Sequence, residues 1–351
     1  MKTLRICAIT LGVIGAGAMR GQNAPAAQRQ GPGVQAPQDA RYADLIKTCK
    51  VAPPGRGGRG GQGKGAPPAA APGPRPYTVS AIPGVIAAGE QWKEVWKVEG
   101  NNADGIIATS DGGLLIAQND NSDVVKLDKN GKISVAYTGT NTGGSVARNS
   151  KGALFLVSRG LNQAIEQLEP QRRTFASKYN GDPIDCLGGV LNDLTADSKG
   201  GVYFTMGGVF YADPKGMVTR YGMNLNTNGI VLSADEKHLF VTNGQTVAEF
   251  DVQKDGSLTN QREFAKLEGG GFGDGSTFDT AGRLYVTTNP GVQVIGPDGK
   301  YLGLIPTPRG VISVAFSGPD RRTLYAVSRE QNTDWIIAIR TIAQGPKGRG
   351  K

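Results

Sequence analysis

Apolar and polar positions cycle regularly over residues 77–343. Short runs rich in β-branched and aromatic residues alternate with clusters of Gly, Asp, Asn, Ser and Pro, the pattern of strands separated by tight turns. Aligned on their turns, six segments are alike: TSDGGLLIAQND (109–120), NSKGALFLVSRG (149–160), DSKGGVYFTMGG (197–208), SADEKHLFVTNG (233–244), DTAGRLYVTTNP (279–290) and SGPDRRTLYAVSRE (317–330). With Gly112, Gly152, Gly200, Glu236, Gly282 and Arg321 as anchors, the successive spacings are 40, 48, 36, 46 and 39 residues. A short apolar strand precedes each turn. Alternating strands joined by a further turn follow it, as in VVKLDKNGKISV (124–135) and VQVIGPDGKYLGLI (292–305). About four strands in each repeat of about 44 residues predict an all-β fold, a six-bladed β-propeller with four-stranded antiparallel blades. Tyr77–Lys97, with Trp92 and Trp96, is expected to complete the last blade.

The pattern is different before residue 77. Lys2 and Arg5 precede the apolar stretch Ile6–Ala18, and Ala16 and Ala18 offer a small-residue cleavage site, so residues 1–18 read as a signal peptide. The apolar run is shorter than the roughly 20 residues a membrane helix needs, and no other segment is long enough. The protein is therefore expected to be exported, periplasmic or secreted, and monomeric. Residues 19–76, rich in Ala, Pro, Gly, Gln and Arg, read as a disordered linker with a short helix within 39–49. Gly55-Arg-Gly57-Gly-Arg-Gly60 fits the dinucleotide pattern, yet neither strand nor helix flanks it, and it reads as solvated spacer. Residues 344–351 read as a basic flexible tail.

Charge sharpens this division. The 351-residue chain carries 39 Lys+Arg against 30 Asp+Glu, a net +9 that invites a nucleic-acid reading. Residues 1–76 hold eleven of those bases and two of the acids, so 77–351 holds 28 of each. The body is neutral, and no nucleic-acid partner is expected. A single His rules out a histidine-rich zinc or iron site. That residue, His238, falls in the hairpin EKHLF and reads as a surface group. There is no G-x-S-x-G either, so a serine-triad hydrolase is not indicated. Of three Cys, Cys7 lies in the leader. Cys49 and Cys186 either pair in an oxidising compartment, which would bring the 39–50 segment to the channel mouth as a lid, or remain separate thiols.

The candidate chemistry stands eight residues before the anchors: Asp104, Asn192, Asn228 and Asp274. The second copy has Gly144 there, and the sixth is expected to offer no polar equivalent. Equivalent positions in a closed ring face one axis, so four blades aim two carboxylates and two carboxamides at one place. Asp-Gly and Asn-Gly are also ordinary turn dipeptides; the fixed offset favours a site. All-oxygen donors suit a hard cation, which points to one divalent metal, Ca²⁺ preferred, with Zn²⁺, Mg²⁺ or Mn²⁺ as alternatives.

The stretches LNDLTADSKGGVYFT (191–205), TNGIVLSADEKHLFVTN (227–243) and GDGSTFDTAGRLYVT (273–287) resemble the gluconolactonase and regucalcin (senescence marker protein) family, over about residues 104–340. The resemblance implies a six-bladed propeller that hydrolyses sugar lactones with one divalent metal. It makes Asn228 and Asp274 metal ligands, Asp274 also the general base, and Asn192 a contact to metal or substrate. Asp104 falls where the family usually has Glu. Val190 stands where the regucalcin branch has a substrate-binding Arg, so sugar preference does not carry over. The expected partner is a small lactone or ester. The alternative is a non-catalytic calcium-binding propeller.

Overall fold

The structure, a computed structural model, describes residues 33–53 and 74–350; the signal-peptide reading falls outside them. Six four-stranded antiparallel sheets are arranged as the blades of a propeller. Blade one runs Ile106–Ala108, Leu114–Gln118, Asp123–Leu127 and Ile133–Tyr137, from the channel outward, and the next four repeat that order. The innermost strands of blades two to five are Gly143–Arg148, Leu194–Ala196, Thr227–Leu232 and Ser276–Phe278. Blade six is composite. Gly310–Ser317, Thr323–Glu330 and Thr333–Arg340 come from the end of the chain, and the outermost strand is Lys93–Glu99 from its beginning, pairing Lys93 with Ala338 and Glu99 with Thr333.

Apolar side chains of adjacent blades pack face to face in a chain of clusters. Val157, Ile165, Phe204 and Phe210 fill the space between blades two and three, and Tyr285, Val294, Val314 and Trp335 that between five and six. Burying strands on both faces explains their near-continuous apolar sequences. Each anchor turn is fixed by its own chemistry. In blade three, Asp197 Oδ1 accepts the amides of Lys199 and Gly201 at 2.9 and 2.8 Å, an Asx turn that Asn149 and Asp279 repeat. The four anchor glycines take φ between 75° and 97°, a left-handed conformation that disfavours a side chain. Glu236 (φ 57°) and Arg321 (φ 54°) hold the same conformation with side chains attached.

The N-terminal segment departs from the linker expectation. A helix forms at Tyr42–Ile46, and residues 33–53 lie against the propeller. The Ala36 amide donates to the Arg159 carbonyl at 2.8 Å, the Tyr42 hydroxyl donates to the Asp185 carbonyl at 3.0 Å, and Ala36 is fully buried. Cys49 and Cys186 form a disulfide, Cα atoms 5.7 Å apart, so of the two readings the paired one holds. Composition suggested disorder; one covalent tie and a few buried contacts offset the ordering entropy. Arg75 is likewise ordered, its backbone amide and Nε each donating at 2.8 Å to the Pro308 and Thr307 carbonyls.

Candidate functional site

The four candidate ligands sit where the innermost strands begin. Asp104, Asn192 and Asp274 each stand two residues ahead of the strand, and their amides donate to the carbonyls of Ala117, Thr205 and Thr287 at 3.1, 2.9 and 2.9 Å. Asn228 is the second residue of its strand. Threonines from the neighbouring strands clamp the backbone beside them. Thr205 Oγ1 donates to the Asn228 carbonyl at 2.5 Å, and Thr287 Oγ1 to the Gly275 carbonyl at 2.9 Å. The Gly229 amide donates to Thr242 Oγ1 at 2.6 Å. All four side chains are half-buried.

Three of the four join in one hydrogen-bonded chain. Asn192 Nδ2 donates to Asn228 Oδ1 at 2.6 Å, and Asn192 connects to Asp104 through a residue that sequence reasoning missed, Arg159. This guanidinium, in a residue only 5% exposed, donates through Nη1 to Asp104 Oδ2 (2.5 Å) and Asn119 Oδ1 (3.1 Å). Nη2 donates to the Asn192 carbonyl (2.5 Å) and Asn192 Oδ1 (3.1 Å), and Nε to the Leu191 carbonyl (2.7 Å). That matches the five donors an arginine has. Gly144 is what admits it: a Cβ there would lie 1.9 Å from the Arg159 Cζ. The blank in the second copy was the one available signal.

Asp274 closes the arc from the other side. Its carbonyl lies against Gly229, where a Cβ would come within 2.1 Å of it, so the glycine is what lets blades four and five approach this closely. A second arginine, the half-buried Arg329, feels the charge of both carboxylates. Its Nε donates to Asp334 Oδ1 at 2.6 Å and its Nη2 to Asn101 Oδ1 at 2.5 Å. Burial pulls its pKa down, but the hydrogen bond to Asp334 and the charges of Asp104, Asp334 and Asp274 outweigh this and raise it. At Asp104 the balance runs the other way. Burial pushes the carboxyl up, while the Arg159 and Arg329 charges and bonds from Asn119 and Arg159 hold it below the usual carboxylate range. Behind the site, buried Asp193 accepts the Ser145 hydroxyl (2.6 Å) and the amides of Leu194 (2.9 Å) and Ile230 (3.0 Å), stapling three blades.

Among the described residues no cluster of three or more His, Cys, Asp or Glu could hold a metal. The donor set here is of another kind, two carboxylates and two carboxamides, and its chemistry fits a hard cation. A guanidinium nests against two of the four, Asp104 and Asn192. Two expectations are refined. Blade six does carry a polar group at the common offset, Ser313, whose Oγ accepts the Ile106 amide at 3.3 Å and thereby serves the backbone. His238 begins an inner-middle strand beside the anchor turn, with Nδ1 2.9 Å from Glu249 Oε1, and belongs to no triad.

The far end of the channel holds a cavity of about 370 Å³, lined by Val231, Phe278, Phe316, Glu236, Arg321 and Arg349 among others. The C-terminal residues, expected to be a flexible tail, are built into it. Gly350 and Arg148 exchange backbone hydrogen bonds at 3.1 Å, Arg349 Nη2 donates to the Ala196 carbonyl at 2.7 Å, and Arg349 lies 3.5 Å from Glu236. Backbone carbonyls at the ends of the inner strands need donors, and the tail supplies them.

The model of the SMP-30/Gluconolactonase/LRE-like region matches residues 137–330, more than half of the chain. The gluconolactonase of Zymomonas mobilis is 27% identical over 254 residues, which cover 63% of this chain and 63% of that protein. The chain thus matches under two thirds of that relative's length. Among solved structures, a Xanthomonas campestris gluconolactonase superposes with a TM-score of 0.63 at 21% identity, covering 76% of this chain and 95% of that one. Regucalcin of Agrobacterium tumefaciens, described as a calcium-binding protein, gives 0.60 at 15% identity, covering 73% and 96%. At these identities the superpositions speak for the fold. The family model speaks for descent, and the chain belongs to the SMP-30/gluconolactonase/LRE-like family.

Proposed function

We propose that the protein is an exported lactonase that opens a cyclic ester, with a sugar lactone as the favoured class, at the channel end bearing Asp104, Asn192, Asn228 and Asp274. The observation that carries this reading is the recurrence of those four residues at one offset in four blades, three of them, Asp104, Asn192 and Asn228, joined by hydrogen bonds through Arg159, inside a family containing gluconolactonases. Those four residues would hold a divalent cation, with Ca²⁺ preferred. When bound, it would supply Lewis-acid polarisation of the lactone carbonyl and stabilise the oxyanion that develops there.

The protein's own groups do the rest. Asp274 takes a proton from the attacking water as its oxygen adds to the carbonyl carbon. The ring C–O bond then breaks, and that proton passes to the leaving alkoxide, giving a hydroxy acid. Asn192 orients substrate through its carboxamide, while Arg329 balances the charge of both carboxylates. The test is hydrolysis of a panel of aldonolactones and aryl esters with and without added divalent cations. Asp274→Ala is expected to lower turnover about 10²- to 10⁴-fold while the melting temperature holds. Retained turnover removes Asp274 from the mechanism. Calcium-dependent thermal stabilisation with no turnover on any substrate favours the second reading, a non-catalytic calcium-binding propeller. The saturation of Arg159, which leaves it no donor for a substrate, speaks for that alternative.

A further inference from the structure

Arg159 is not one of the four ring positions, yet its guanidinium sits among them. It reaches that place from the end of the second strand of blade two, SRG at 158–160, over a residue with no side chain. Blade two therefore does contribute to the site, with a cation where blades one, three, four and five contribute oxygen. Two of the four donor groups, Asp104 Oδ2 and Asn192 Oδ1, are its hydrogen-bond acceptors. Two more of its bonds run to the Leu191 and Asn192 carbonyls, the backbone that carries one of those donors. A surface arginine would swing aside for a metal ion at little cost. This one is buried and fully bonded, and moving it strands several acceptors.

We propose that Arg159 is a resident cation of the channel site, a positioning residue that occupies part of the space and charge a divalent metal would take and so sets the site's metal affinity. The inference rests on the site assignment given above for the proposed lactonase. Like-charge repulsion opposes a second cation beside a fixed guanidinium in a poorly solvated site. A metal must either share Asp104 with Arg159 or displace it. The pair Gly144 and Arg159 acts as a unit: any side chain at 144 excludes the guanidinium from its nest, because a Cβ would fall 1.9 Å from Cζ and 2.0 Å from Nε.

Two variants separate this role from a structural one. Arg159→Met removes the charge while keeping a stem of similar reach. Gly144→Ala keeps the arginine and its charge in the protein but expels the guanidinium from the cluster. Calcium binding is measured by titration calorimetry on the full chain, after removal of bound cations, for the native protein and both variants. Each variant is expected to bind calcium at least tenfold more tightly than the native protein, about 1.4 kcal/mol. Each should also gain more melting temperature on saturation. Arg159→Lys, which keeps a charge in the site, is expected to stay within about threefold of native. A purely structural arginine predicts the reverse sign, a less ordered site and weaker binding. Equal or weaker calcium affinity in both variants, or no binding in any of the proteins, overturns the proposal. Should Arg159→Met fail to fold, Gly144→Ala decides alone. The isotherms need no substrate, so absence of lactonase turnover leaves this result standing and bears only on the catalytic reading.

Discussion

Two arginines are buried at opposite ends of the same channel, and they are held differently. Arg159 has a carboxylate at 2.5 Å together with carboxamide and carbonyl acceptors. Arg349 leans on the carbonyls of Ala196 and Ser233, at 2.7 and 3.3 Å, with its carboxylate, Glu236, more distant at 3.5 Å. Burial pulls the pKa of Arg349 down, and the charges of Glu236 and Asp197 only partly restore it. One arginine is part of an electrostatic cluster; the other is a plug that satisfies strand ends. The local backbone carries the same distinction. At the plug, Glu236 and Arg321 take the left-handed conformation that glycine fills in the other four anchors, and both face the tail, with Arg321 Nη1 bonded to the Pro346 carbonyl. The side chains at these two positions are engaged despite the conformational cost: Glu236 accepts the Ser198 amide and hydroxyl and pairs with Arg349, and Arg321 bonds the tail.

The comparison predicts unequal costs. Asp104→Ala leaves Arg159 charged and buried without its carboxylate, and is expected to lower stability by about 3–5 kcal/mol in urea unfolding with a chelator present. Arg349→Ala removes a cation that burial already disfavours, and should cost only about 1 kcal/mol, with calcium binding at the opposite mouth unchanged. Equal losses for the two would collapse the distinction between cluster and plug.

The smallest effect lies at the turn end and follows pH. Asp111, hydrogen-bonded by Lys126 and Thr109, and Asp320, hydrogen-bonded by Arg340, are both lowered from 3.8 to about 2. Because the folded-state pKa is depressed, each contribution is complete above about 4 and is lost as pH falls through about 2. Asp111→Asn and Asp320→Asn should each lower stability at neutral pH by under about 1 kcal/mol, as exposed pairs do. The difference from native should shrink as pH falls through about 2 and vanish below it. A difference that persists there would mean the asparagine disturbs the turn itself.

Much of this was legible in the residues. Six aligned turns give the blade count, and the offset of eight marks Asp104, Asn192, Asn228 and Asp274 as equivalent positions, because a closed ring converts equal sequence positions into equal positions about an axis. Arg159 was not legible by that rule. It enters from another strand, so its offset is its own, and only the missing Cβ at Gly144 marked the space it fills. The N-terminal strap and the C-terminal plug are not legible in composition, for a shared reason. Gly, Pro and basic residues carry little apolar surface, so composition suggests disorder, whereas these segments are held by hydrogen bonds to a preformed propeller and by the Cys49–Cys186 link.

The composite sixth blade sets a condition on how this molecule comes into being. Lys93–Glu99 is made early, and its partner Thr333–Arg340 is among the last strands made. Until both exist, the first blade and the fifth each face an unfilled gap, and strand edges lie open to pairing with other chains. Closure is a contact between residues far apart in sequence, which slows folding. A chain cut short anywhere before residue 333 does not yield a smaller propeller; it yields an open arc in which the four oxygen-bearing blades no longer share an axis. Assembly of the ring and assembly of the site are thus one event.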